Sequence, residues 1–226
     1  MFELLRNVFD GNRKIVGIGG KKITLNLSDR HEKHYYKIVK DKLLDIDSEI
    51  ANNCIRGGDI VLDAGANIGF ISLLYLETEA TKVFAFEPVP DVYKRLVELQ
   101  GDDLEPFNYA LSDSAGKASM TMSEAHNQGH TLNPQWEVIF PNVYSEDKAT
   151  CQVEMVRLDD ILPGQRFDFI KVDVEGSELQ FLRGASTLLE ETPPRFMQIE
   201  IYPEVLEPVS CELKKYFKFI KRAILN

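Results

Sequence analysis

Residues 61–69 read VLDAGANIG. An apolar run ending in an acid leads into a turn made almost wholly of small side chains. The run suits a strand buried on both faces. The apolar stretch IGFISLLYLE after it suits a helix. A glycine turn between such a strand and helix lets a ligand, or another backbone, come close to the main chain.

The same alternation runs outward from this point. KVFAFEP (82–88) reads as a second strand and PDVYKRLVELQ (90–100) as a helix with proline in its first turn. LEPFNYAL (104–111) makes a third strand, and CQVEMVRLDDIL (151–162) alternates like another. FDFIKVDV (167–174), SELQFLRGASTLLEE (177–191) and RFMQIEIY (195–202) follow as strand, helix and strand. Ser177 and Gln180 have capping-box spacing. Upstream, KIVGIGGKKITLNL (14–27) predicts a hairpin about Gly19-Gly20, and 31–55 predicts one or two helices ended by Gly57-Gly58.

This order implies an α/β fold: a doubly wound, mostly parallel sheet with helices on both faces. We expect a single domain over 1–226, with an N-terminal hairpin and helix extension (1–57), a cofactor-binding core (58–203) and a C-terminal tail (204–226). Residues 112–150, polar and punctuated by glycine and proline, predict an irregular acceptor-side loop or lid.

Composition narrows the partners. The net charge of −10 argues against nucleic acid, which requires a basic footprint. Cys54, Cys151 and Cys211 form no metal spacing and suit a reducing compartment. The N-terminus lacks the order of a signal peptide, and no apolar run reaches membrane-spanning length. A cytoplasmic protein is the expectation.

In an open parallel sheet, ligands bind beyond the carboxyl ends of the strands. That singles out Asp63, Gly65, Asn67, Gly69, Glu87, Leu111, Ser112, Asp113, Asp173, Glu175 and Glu200. A phosphate loop would need a Lys-Ser/Thr pair after the turn, which is missing. A dinucleotide turn needs a second glycine where Asn67 stands. S-adenosylmethionine carries no phosphate and needs a small-residue turn for its methionine end and an acid for its ribose hydroxyls. Glu87 supplies an acid at the right strand end, although a dinucleotide enzyme would place one there too.

VLDAGANIGFISL, then VFAFEP, NYALSDSAG, FIKVDVEGSELQFLRGA and QIEIY, resembles in order and spacing the FkbM family of S-adenosylmethionine-dependent methyltransferases. The blocks cover roughly 47–203, and DVEGSE is the most specific of them. The resemblance implies a class I, Rossmann-like methyltransferase fold and methyl transfer to oxygen, often on a sugar or natural product. It implies that Asp63, Gly65, Ala66, Asn67 and Gly69 hold the methionine end of the cofactor. Glu87, with Pro88 beside it, would take the ribose, and Ser112 and Asp113 would lie near the adenine.

An alcohol acceptor keeps its proton near neutral pH, so a base or a metal must remove it. Lys171 and Asp173 alternate onto one strand face, which puts Asp173 and Glu175 near the reacting centre. Glu200 occupies a similar level, and His130 in the 112–150 segment is a further candidate base. Plainer roles compete: Asp173 paired with Lys171, Glu175 serving the next helix, His130 on a polar surface. His31 and His34 miss zinc-binding spacing, Asp159-Asp160 suit a turn, and no residue cluster spells a metal site. Trp136 either stacks on a sugar or anchors its loop, and His126 lies in the same segment. The basic tail, with Leu213, Phe217, Ile220 and Ile224 near one helical face, suits packing on the sheet edge or, less so, a membrane surface. An incomplete final strand pair would leave an edge for a second copy. The rival functions are a cofactor-binding module without catalysis and a nicotinamide oxidoreductase.

Overall fold

The structure, a computed structural model, describes residues 11–123, 129–140 and 149–201. His126, Cys211, the end of the strand expected to reach 202 and the basic tail lie outside the described residues.

The chain opens with the hairpin β1 (Arg13–Ile18) and β2 (Lys21–Asn26), turned at Gly19-Gly20 with both φ positive. Two helices follow, α1 (Arg30–Asp41) and α2 (Ile46–Cys54). Each is capped by an aspartate: Asp29 accepts from the N–H groups of His31 and Glu32, and Asp45 from that of Ser48.

The core then alternates. β3 (Ile60–Ala64) leads to α3 (Phe70–Glu77), and β4 (Lys82–Phe86) to α4 (Pro90–Leu96) with a 3₁₀ turn at Val97–Leu99. Next come β5 (Leu104–Phe107), β6 (Ala110–Leu111), β7 (Gly116–Thr121), α5 (Pro134–Ile139), β8 (Thr150–Val156) and α6 (Leu158–Ile161). The described chain closes with β9 (Phe169–Val172), α7 (Glu178–Gly184), α8 (Ser186–Glu191) and β10 (Phe196–Ile199).

Five strands form one parallel sheet in the order β10-β9-β3-β4-β5. The chain moves outward one way from β3 and later resumes on its other side, so the order reverses between β3 and β9. Alternation along each strand feeds two cores. Val61, Val83, Ala85 and Phe169 pack toward α1–α4, and Leu62, Ala64, Phe84, Phe86, Ile170 and Val172 toward α7 and α8. This is the doubly wound α/β fold expected.

The N-terminal helices are built onto this core. Tyr35 of α1 stacks on Phe70 of α3 with ring centroids 4.1 Å apart, a contact worth about 0.5–1.5 kcal/mol beyond burial. Arg95 of α4 grips the buried carboxylate of Glu32 with two bonds of 2.7 and 2.8 Å, the bidentate geometry that arginine favours.

Four local expectations need correction. The stretch 104–111 is two strands, because the chain leaves the sheet at Asn108, whose side-chain amide donates to the carbonyls of Glu87 and Pro88. β6 then joins β8 and β7 in a separate three-stranded sheet. The 112–150 segment is not wholly irregular: β7 pairs antiparallel with β8, a partner far along the chain, and α5 is capped by Asn133. The capping box at Ser177 does not form. Ser177 is the N-cap without a side-chain bond, and Glu178 instead reaches back to accept from the N–H of Gly176. The helix expected over 177–191 is two helices, meeting at Ala185.

Candidate active site

The carboxyl ends of β3, β4, β9 and β10 open onto one cleft, which the β3–β9 reversal places at the middle of the sheet. Its walls come from the turn after β3, from Glu87 to Val89, from Tyr109 to Leu111, from Asp173 to Glu175 and from Glu200. Tyr35 and Asp47 of the N-terminal helices, Met120 of β7, and His130 and Leu132 complete it.

The small-residue turn is explained by its backbone. Gly65, Asn67 and Gly69 all have positive φ, at 83°, 51° and 85°, a region that glycine enters freely and asparagine tolerates. Gly65 is also forced by packing: a Cβ there would stand 1.9 Å from the carbonyl oxygen of Asp173. The turn therefore lies directly against the end of β9.

Every backbone N–H of this turn has a partner within the protein. Those of Gly65 and Ala66 donate to the carbonyl of Phe86, and that of Gly69 to Ala66. Those of Asn67 and Ile68 donate to Glu87 Oε2 and to Asn67 Oδ1. A phosphate cradle needs such groups aimed at its ligand, and here none is left over. Glu87 accepts the Asn67 N–H at 3.0 Å and the Val89 N–H at 2.8 Å, one on each oxygen. A carboxylate has room for further donors on both oxygens, so Glu87 still suits a pair of ribose hydroxyls. Burial pushes its pKa up to about 7, against the pull of the two N–H groups.

On the other side of the turn a polar row crosses three strands. Asp63, Lys171 and Gln198 sit side by side in register on β3, β9 and β10, on the face toward α2 and α3. Lys171 Nζ stands 3.0 Å from Asp173 Oδ2 and 3.6 Å from Asp63 Oδ1. Burial pulls the ammonium toward neutrality, but the two carboxylates outweigh it and hold its pKa well above the usual lysine value. Asp63 also accepts from Ser72 Oγ at 2.6 Å, and Gln198 Nε2 donates to Asp47 Oδ1 at 2.8 Å.

Asp173, with its side chain 30% exposed, stands on the cleft wall. Glu175 follows with φ 50°, an uncommon setting for glutamate. Its pKa is pushed up to about 9 by burial first and then by Asp173, Glu200 and Glu178. The turn is clamped from 129–140: Thr131 Oγ1 donates to the Glu175 carbonyl at 2.6 Å, and Asn133 Nδ2 to that of Gly176 at 2.9 Å. Trp136 is buried against Gly176, so it anchors this segment instead of offering a face to a sugar.

The site residues expected from sequence divide into two groups. Gly65, Ala66, Asn67, Glu87, Pro88, His130, Asp173, Glu175 and Glu200 all line the cleft. Four others do not. Asp63 is fully buried beneath it, tied to Ser72 and Lys171. A Cβ at Gly69 would meet Leu96 and Leu99, so this glycine serves helix packing. Ser112 packs under Gly184, and Asp113 faces Arg183 at 3.4 Å. Tyr109, Ala110 and Leu111 take the wall given to those two, because the chain turns away after β6. The Nδ1 of His130 accepts from the Ser123 N–H at 2.9 Å. The neutral ring in that bond carries its proton on Nε2. Asp159 caps the start of α8 from a distance, accepting from the N–H groups of Thr187 and Leu188.

Sequence reasoning missed Tyr35 and Asp47. Tyr35 follows the helical spacing of Glu32, Ile38 and Val39 on the buried face of α1, which marks it as interior but not as cleft-lining. Asp47 carried no signal. Among the described residues no group of three or more His, Cys, Asp or Glu could hold a metal, and no helix is long and apolar enough to cross a membrane.

The model of the methyltransferase FkbM domain matches residues 63–221. Hexuronic acid methyltransferase AglP of Haloferax volcanii is 31% identical over 151 residues, covering 65% of this chain and 57% of that protein. Methyltransferase sdnD of Sordaria araneosa is 33% identical over 177 residues, covering 65% of this chain and 67% of that protein. The match thus spans little more than half of the first relative and two thirds of the second. Among solved structures, P. horikoshii TYW2 in complex with MeSAdo aligns over 92% of this chain and 59% of its own, with a TM-score of 0.42 and 15% identity.

Proposed function

Because the chain belongs to the FkbM methyltransferase family, we propose that it transfers a methyl group from S-adenosylmethionine to a hydroxyl of a small molecule, a carbohydrate or glycosylated metabolite. The observation that carries this reading is the spent turn: all N–H groups of residues 65–69 are bonded internally, with Glu87 closing one of them. Such a turn suits a cofactor without phosphate better than a dinucleotide.

The donor would lie along the carboxyl edge of the sheet. Tyr109 to Leu111 would meet its adenine, Glu87 its ribose hydroxyls and the Gly65–Asn67 backbone its amino-acid end. When bound, the donor supplies a methyl group on a positively charged sulfur, which departs as a neutral thioether. The protein's part is then to align the acceptor and take its proton. Asp173 is the base in this reading. It stands on the cleft wall with one oxygen held by Lys171, which fixes its direction. With its pKa raised to about 9, Glu175 keeps its proton near neutral pH, so with Glu200 it would orient the acceptor. His130 Nε2–H would donate to it.

The test is a calorimetric titration with S-adenosylmethionine, S-adenosylhomocysteine and NAD, followed by turnover on a panel of sugars. We expect the first two to bind at micromolar level and the Glu87→Ala variant to lose at least tenfold in affinity. Asp173→Asn should keep cofactor affinity and lose at least a hundredfold in turnover. Binding of NAD alone would refute the donor, and cofactor binding unaccompanied by any transfer would favour a non-catalytic module.

A further inference from the structure

Beneath the floor of the cleft a group of polar side chains does not complete its hydrogen bonds within the protein. Asp63, Lys171 and Gln198 lie in register on β3, β9 and β10. On α3, Ser72 Oγ donates to Asp63 Oδ2 at 2.6 Å, and Tyr75 follows one turn later. The Tyr75 ring packs on Phe169, with centroids 5.4 Å apart, and Phe169 shares the face of β9 that carries Lys171. Asp63 and Tyr75 are fully buried.

Among the described residues no hydrogen-bond partner reaches Asp63 Oδ1, Tyr75 Oη or Gln198 Oε1, all of them buried atoms. Gln198 is oriented by its other end, since Nε2 donates to Asp47 Oδ1 at 2.8 Å. Lys171 Nζ has three N–H groups to give and spends one on Asp173 Oδ2 at 3.0 Å. Its separation of 3.6 Å from Asp63 Oδ1 makes an ion pair but is too long for a hydrogen bond. Burial first, and then Asp63, hold the Tyr75 pKa well above the ordinary tyrosine value, with Lys171 opposing, so the phenol keeps its proton and can donate.

The unspent groups are therefore two donors, Tyr75 Oη–H and an N–H of Lys171, and two acceptors, Asp63 Oδ1 and Gln198 Oε1. One water molecule is their complement, because it accepts two bonds and donates two, and buried waters bridge such groups. A metal cation fits worse, since the Lys171 ammonium would repel it at close range.

We propose that a buried water is a built-in part of this site, accepting from Tyr75 and Lys171 and donating to Asp63 and Gln198, and that through it Tyr75 acts as a positioning residue for Asp173. The water takes up an N–H of Lys171 and keeps the ammonium between the two carboxylates. Without it the ammonium closes the 3.6 Å gap to Asp63 and loosens its hold on Asp173. The water also joins Asp173, through Lys171, to Gln198 and Asp47, so two acids of the cleft wall are braced from below by one chain of bonds. The bracing of a base rests on the reading of Asp173 in methyl transfer; the water site does not.

The experiment is a crystal structure of the parent and of Tyr75→Phe, with thermal unfolding and steady-state kinetics on both. In the parent we expect a water about 2.7–3.2 Å from at least three of the four atoms. In Tyr75→Phe it should be lost or displaced, with Lys171 Nζ moved from Asp173 toward Asp63. The midpoint of unfolding should fall by about 2–4 °C, the loss of one ordinary hydrogen bond in a chain of this size. A phenol without a partner gives the opposite sign, because its deletion removes a buried unsatisfied group. Turnover should fall by about fivefold or more, with the acceptor KM and the Kd of S-adenosylhomocysteine changed by less than about twofold, a split that general loosening does not produce. No water at these atoms in the parent, or a midpoint that rises in the variant, would overturn the site. A water in place, with Lys171 unmoved and kcat unchanged in the variant, would overturn the positioning role. If the parent transfers no methyl to any acceptor, the methyl-transfer reading fails, and the water and the Lys171 displacement decide this inference by themselves.

Discussion

Lys171 and Asp173, two residues apart at the end of β9, meet at 3.0 Å on the wall of the cleft, and the same ammonium reaches back to the fully buried Asp63. One side chain therefore holds the proposed base in place and compensates a carboxylate that bulk solvent cannot reach.

The Lys171→Met substitution keeps the volume and removes the charge. Asp63 is then buried with only the Ser72 hydroxyl as a protein donor, and breaking a buried pair from one side costs about 3–5 kcal/mol. Urea unfolding should show a loss of that order. Adding Asp63→Asn, which removes the stranded charge, should restore part of it. If Lys171→Met unfolds at the parental midpoint, the pair contributes little.

Gly65→Ala should be among the most damaging single-methyl changes in the chain. It places a Cβ 1.9 Å from a backbone oxygen at φ +83°, and neither backbone can withdraw without opening the sheet. Gly20→Ala is the control, with φ +73° and nothing within 4 Å. It should cost only about 1 kcal/mol, the left-handed strain of a Cβ. Thermal unfolding and cofactor titration on the two variants should separate them clearly, and equal effects would mean that the close approach to Asp173 is unimportant.

Glu175 gives the stability a pH dependence. Its folded pKa of about 9 lies above the ordinary 4.5. Between these values the folded state keeps a proton that the unfolded state has lost. Stability from this group is therefore present at low pH, falls as pH rises through that window and levels off above it. Glu175→Gln removes this slope, so its stability should fall less than the parent's between pH 5 and 9. The gap should be on the order of 1–3 kcal/mol, read from denaturation midpoints across that range.

The same group should link a proton to the charge of the cofactor. A cation beside Glu175 favours its ionised form, so binding the sulfonium releases a proton and tightens as pH rises from 7 toward 9. The neutral thioether lacks that charge. Calorimetry in buffers of different ionisation heat should show more proton release for S-adenosylmethionine than for S-adenosylhomocysteine. The difference should vanish in Glu175→Gln, and an equal release for both ligands would place the sulfonium away from Glu175.

Trp136→Ala tests whether residues 129–140 serve the acceptor. Trp136 packs against Gly176 beside the Glu175 turn, and Thr131 and Asn133 bond the same backbone. Truncation should raise the acceptor KM several-fold and leave the cofactor Kd nearly unchanged. A weakened cofactor Kd instead would tie the segment to the donor.

The sequence by itself determined the run from β3 to β5 and the strands β9 and β10, because each of these is short, apolar and punctuated by glycine or proline. It also determined the cleft's backbone turn and Glu87, since left-handed positions and a strand-end acid leave marks in single residues. Tertiary structure alone decided the rest. Whether Asp63 and Gly69 face a ligand or the interior depends on what packs over them, and α3 and Leu96 with Leu99 cover both. β7 pairs with a strand some thirty residues away, so no local period announces it. Asp47 enters the cleft because α2 folds against β10, where Gln198 holds it. His130 is tied to Ser123, seven residues back, by a bond from that backbone N–H that no local pattern announces. Local sequence specifies backbone preference; what a side chain faces is set by segments distant in the chain, and that is where the site's chemistry was decided.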